Sequence, residues 1–152
     1  MTRRRDASTP DLFRDFTPPP VVERFAPERV KAARCSARVA RAVAEAIKES
    51  GRSRDVVANM MGDYLGETIT VAMLDQYSSV ANERNNIPAH RLVALLAVTG
   101  DLRLMNALLA DTDVIAVHAK YEALIRREMA KEARDKLDRE INAADAQWRA
   151  GR

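Results

Sequence analysis

From residue 27 onward the apolar residues of this chain recur every three or four positions, the period of a helix with one buried face. Val30, Ala33, Ala37, Ala40, Val43, Ala44 and Ile47 form the first row. Pro27 suits the first position of such a helix, and Ser50-Gly51 suits its end. Ser53, a good N-cap, opens a second row of Val56, Val57, Met60 and Met61. Thr70 opens a third, with Val71, Leu74 and Tyr77 facing inward. Leu92, Leu95 and Leu96 place a further helix over about 88–98, and Thr99-Gly100-Asp101 ends it and starts the next, which runs to about Ala110. Beyond Asp113 neither proline nor glycine interrupts the chain until Gly151, and one long helix, or two broken helices, from about Asp113 to Trp148 is expected.

Composition agrees with an all-α fold. Hydrophobic residues make up 47% of the 152 positions and aromatics only 5%, so alanine, a helix former that fills close crossings, does much of the apolar work. No run of alternating β-branched residues suggests a sheet. The expected organisation is a basic, proline-rich leader over 1–26, a helical domain over 27–112, and a long charged helix over 113–152. Prolines 18, 19 and 20 forbid a helix in the leader and favour extended geometry.

The centre of the domain is residues 53–82, where helices over about 53–65 and 70–80 flank a glycine-containing turn. Ala58 stands four residues before Gly62, and that small pair suits a helix-turn-helix crossing, with Gly62 free to take a positive φ. The connection over 63–69 is longer than the common three- or four-residue turn. On the second helix Thr70, Met73, Gln76, Ser78 and Ser79 are expected to face outward: Gln76 can read adenine bidentately and the serines can meet phosphate, while Asp75 repels it.

Charge sharpens this picture. The net charge is +3, yet residues 1–54 hold 13 Lys/Arg against 7 Asp/Glu, residues 55–100 hold 2 against 5, and residues 101–152 hold 10 of each. The positive field therefore lies before the two-helix unit and suits a polyanion or an acidic partner. Arg3, Arg4 and Arg5 of the leader, Arg34, Arg38 and Arg41 of the first helix, and Arg52 and Arg54 before the second are the candidate phosphate contacts. A solvated basic face is the alternative for the helix arginines.

Catalytic chemistry finds little support. There is no glycine-rich phosphate loop after a strand, and His90 and His118 lack partners at metal-ligand spacing, so neither enzyme, metal nor cofactor is expected. Cys35, the single cysteine, reads as a small core residue, which fits a cytoplasmic, reducing compartment. No stretch is apolar enough to span a membrane.

Two stretches also suit protein contacts, each beside a plainer alternative. The Asp11-Leu12-Phe13 ending of TPDLF is similar to the tail of the motif by which bacterial proteins dock on the replicative sliding clamp; the alternative is a staple of Leu12, Phe13 and Phe16 on the helical body. The narrow row Ala130, Ala133, Leu137, Ile141, Ala144 and Trp148 suits pairing with another helix, such as that of a second copy in a homodimer, or else a solitary solvated helix.

The segment 85–109 carries a family resemblance. Its His90-Arg91-Leu92 start, apolar helix and Thr99-Gly100-Asp101 turn stand in the order seen in CII-like phage regulatory proteins, after a helix-turn-helix segment. The arginine-rich start, TPDLF and the IT-V-MLD positions Ile69, Thr70, Val71, Met73, Leu74 and Asp75 also resemble small proteins of Mu-like transposable prophages. The resemblance implies a cytoplasmic phage or prophage protein that binds DNA and regulates. The alternative is a non-catalytic helical adaptor, binding a phage or host protein through the leader or the C-terminal helix.

Overall fold

The structure is a computed structural model describing residues 20–81 and 86–151. Among these residues it is all-helical, with no strand: α1 (Pro27–Val30), α2 (Cys35–Glu49), α3 (Arg54–Leu65), α4 (Val71–Tyr77), α5 (Ala89–Thr99), α6 (Arg103–Leu108), a 3₁₀ turn (Ala119–Tyr121) and α7 (Glu122–Ala150). The prediction of an all-α chain with a long C-terminal helix is met. The arginines 3–5 and Asp11, Leu12 and Phe13 lie outside the described residues.

The core is assembled from one face of each short helix. Val43, Val57, Met61, Leu74, Leu95 and Leu104 are the largest fully buried side chains, one or two from each of α2 to α6. α2 packs on α6, α3 on α5, and α4 lies against both α3 and α2. Ala42, Ala46, Ala58 and Ala94, all buried, keep these crossings close.

Several boundaries differ from the sequence expectation. The expected helix from Pro27 to Ser50 is two, because the chain is extended at Lys31 and Arg34 and turns α1 back onto α2. Arg29 bonds to Glu45 and Glu49, and Arg41 donates to the Lys31 carbonyl, so tertiary bonds override the helix preference of the intervening alanines. Cys35 begins α2 and is exposed, not core. Val56 and Met60 also face solvent: Val57, Ala58 and Met61 are the buried residues of α3, with Leu65 packed partly buried against the core. Phe25, assigned to the leader, is buried in the core, and the Arg103 guanidinium stacks 4.6 Å from its ring centroid.

Asn106 is the only buried polar residue in the described core. Its Nδ2 donates to the carbonyls of Glu23 (2.9 Å) and Ala116 (3.0 Å), and its Oδ1 accepts from the Ala116 amide (2.8 Å). One side chain on α6 thus pins the segment before α1 and the segment after α6. The long helix starts later than expected, at Glu122, after a non-helical stretch from Asp113 to His118. No residue of α7 is buried. No described helix is long and apolar enough to cross a membrane.

Candidate nucleic-acid interface

The α3–α4 unit is built from local rules and then locked by tertiary ones. The Ser53 side chain accepts from the Val56 amide (3.4 Å) and that of Thr70 from the Met73 amide (3.3 Å), so both helices carry the N-caps that their sequences offer. α3 continues through Gly62 and stops at Gly66, whose φ of +69° is the left-handed conformation that glycine takes without strain. The amides of Gly66 and Glu67 both bond to the Gly62 carbonyl, at 2.8 and 3.2 Å. The connection is therefore residues 66–70, shorter than the expected 63–69, and the positive φ falls at Gly66 instead of Gly62. Gly62 has a different duty: a Cβ there would stand 2.8 Å from the Glu67 carbonyl oxygen, so the returning chain needs its hydrogen. Ile69 is buried beneath this turn.

α4 is held at both ends by arginines. Arg91 on α5 donates to Glu67 of the turn (2.9 Å), to the Tyr77 hydroxyl and to the Met73 sulfur (3.6 Å). This fork, with a smaller contribution from His90 at 3.6 Å, keeps the Glu67 carboxyl below the usual carboxylate range. Arg54, in the first turn of α3, reaches across to Asp75 (3.1 Å) and the Ser78 hydroxyl (3.3 Å). It places a positive charge beside the one acid of α4.

The candidate contact residues divide accordingly. Thr70, Gln76 and Ser79 lie along α4 and its ends, with Gln76 and Thr70 exposed and Ser79 half-buried. Met73 is half-buried against the core, and Ser78 donates back to the Leu74 carbonyl at 2.8 Å, so these two serve α4 itself more than its outer face. Arg54 joins this group. Arg38 does not: its side chain is 11% exposed, donates through Nε to the Ala107 carbonyl (2.8 Å), and pairs with Asp111 (2.6 Å), which holds its guanidinium more firmly protonated. Arg41 is bonded to Lys31 and Arg52 to the Val98 carbonyl. The basic stripe on α2 is thus partly spent on holding α1, α6 and the chain after α6; Arg34 and Arg52 are solvent-exposed, Arg52 while also donating to the Val98 carbonyl.

Sequence reasoning passed over Glu67 and the role of Arg91, and gave Tyr77 only as an inward-facing position, which it is. Arg91 was visible only as part of a His-Arg-Leu helix start; its partners lie 14 and 24 residues away, on elements whose packing the pattern does not encode. Among the described residues no group of three or more His, Cys, Asp or Glu side chains is placed to hold a metal ion. No protein-family model, curated protein or solved structure matches this chain.

Proposed function

We propose that the chain is a DNA-binding regulatory protein of the small phage or prophage type, acting in the cytoplasm without a catalytic step. α4 is its groove-facing helix. The observation that carries this reading is the Arg54–Asp75 pair, 3.1 Å apart on the α3–α4 unit. It offsets the one acidic charge of a helix whose other outward groups, Thr70, Gln76 and Ser79, are small or neutral polar side chains able to approach base edges and phosphates. Arg91 supports the same reading by fixing α4 through Glu67 and Tyr77, since a reading helix must hold its angle to the body. Affinity falls to the basic N-terminal third, with Arg34, Arg52 and the leader arginines as phosphate contacts.

A mobility-shift titration against the DNA flanking the protein's own gene, at two salt concentrations, tests the reading. Gln76→Ala should lose about 1–3 kcal/mol of discrimination between preferred and random duplexes. Arg52→Ala should weaken all duplexes alike and flatten the salt dependence by about one ion. No shift at low salt would remove the proposal. The adaptor alternative rests on α7, a 29-residue helix with no buried residue. Capture of a protein partner that is lost on deleting residues 113–152, with no DNA shift, would favour it.

A further inference from the structure

α7 presents one apolar row to solvent. Ala130, Ala133, Leu137, Ile141, Ala144 and Trp148 follow one another at steps of three or four, an average close to the roughly 3.6 residues of a helical turn. The row therefore runs straight along one side for roughly 27 Å, and two such helices can lie side by side without supercoiling. Leu137 and Ile141 are each 59% exposed and Trp148 is 67% exposed. Leu124, Ile125 and Met129 add exposed apolar side chains near the start of the helix, and between Ala130 and Trp148 the other positions are mostly charged or polar, so this row is the continuous apolar surface of that stretch.

The row is complementary to itself when reversed. If Leu137 of one copy meets Ile141 of the other, a two-fold axis perpendicular to the helices brings Ala130 level with Trp148 and Ala133 within one residue of Ala144. The largest side chain then lies over one of the smallest, and the alanine layers let the helices approach closely. A parallel pairing in register would oppose Trp148 to Trp148 and leave Ala130 facing Ala130, a bulge at one end and a void at the other.

The flanking charges agree with the reversed arrangement. An antiparallel two-fold pair sets each flank of the row against the same flank of its partner. On one flank Arg134 comes within one residue of the level of Asp145 of the other copy. On the opposite flank Lys136 comes within about one helical turn of Glu140 of the other copy, and brackets the two Glu140 side chains near the axis. In the monomer Arg134 pairs only with its neighbour Asp135, at 3.0 Å on an exposed surface. Among the described residues Lys136, Glu140 and Asp145 form no ion pair.

We infer that α7 is the interface of an antiparallel homodimer, with Leu137 on Ile141 at its centre and Arg134 paired with Asp145 across it. The contact is independent of whether α4 meets DNA. It sets the two helical domains at opposite ends of the shared helix pair, in place of side by side.

Sedimentation equilibrium of the full chain, in a Cys35→Ser background that removes the exposed thiol, tests the pairing. The expected species is a dimer that Leu137→Asp converts to monomer. Arg134→Glu should raise the dissociation constant roughly tenfold, and adding Asp145→Arg should restore it, because reversing both signs recreates the cross-pair. A monomer at all loading concentrations, or a dimer indifferent to Leu137→Asp, would overturn the inference. Orientation is read by crosslinking: a mixture of Ala133→Cys and Ala144→Cys chains should form the mixed disulfide. Ala133→Cys alone should not pair with itself, and efficient self-pairing would mean a parallel dimer and refute the arrangement.

Discussion

Replacing Asn106 by alanine removes a single amide and leaves three backbone groups without their partners. The side chain is 4% exposed, donates at 2.9 and 3.0 Å to the carbonyls of Glu23 and Ala116, and accepts at 2.8 Å from the Ala116 amide. At about 1 kcal/mol for each intramolecular bond lost, Asn106→Ala should cost about 3 kcal/mol. For a helical domain of this size that is a fall in melting temperature of roughly 10–20 °C. Asn106→Asp should cost more, because it removes the donor and points a carboxylate at two carbonyl oxygens in a buried site. The assay needs care over its probe. α7 contributes helical signal without packing on the core, and Trp148, the one tryptophan, sits on it. Amide exchange of α2 and α6 under increasing urea reports the core directly, and the Ala116 amide should lose its own protection as well. A loss under about 0.5 kcal/mol for Asn106→Ala, or an aspartate variant no worse than the alanine, would refute the reasoning.

Further outcomes follow from the same geometry. Gly62→Ala should destabilise by about 1–3 kcal/mol despite alanine's better helix propensity, because the added methyl would meet the Glu67 carbonyl; equal or higher stability in urea denaturation would show that the turn can yield. Arg91→Ala should speed amide exchange across α4 while α2 and α6 stay protected, since it removes the bonds to Glu67 and Tyr77 at once. Glu49 is held below the usual carboxylate range by Arg29 and, next, by Arg103. Its folded-state value lies below the unfolded one, so its stabilisation is complete above the ordinary carboxylate range and is lost as pH falls through the folded value. Thermal melts of the wild type and Glu49→Gln should therefore differ at neutral pH and converge in acid; a constant gap would rule out that linkage.

Much of the fold was legible from one dimension. Helix existence followed from three-and-four spacing within each row, as in Ala40, Val43 and Ile47 or Val71, Leu74 and Tyr77, and the capping serine, threonine and glycine residues marked several of the boundaries, because caps and periodicity are local properties of the chain. What failed was set by contacts between distant residues. Nothing in the alanine-rich run before Cys35 announces a break at Lys31; the break exists because Arg29 and Arg41 tie α1 back onto α2. Periodicity also left open which flank of α3 would be covered, and packing on α5 buried Val57 and Met61 while Val56 and Met60 stayed in solvent.

The candidate interface divides along the same line. Sequence by itself determined that a two-helix unit opens at Ser53 and Thr70, that its second helix is neutral apart from Asp75, and that positive charge gathers before it. Only the tertiary structure decided what each arginine does. An arginine is a long side chain with several donors, and its role depends on which carbonyl or carboxylate lies within reach. Folding brought Ala107 and Asp111 to Arg38, Asp75 and Ser78 to Arg54, and Glu67 and Tyr77 to Arg91. Those partners come from elements well apart in the chain, so the division between arginines that clamp the fold and arginines that face solvent is a property of packing, not of spacing.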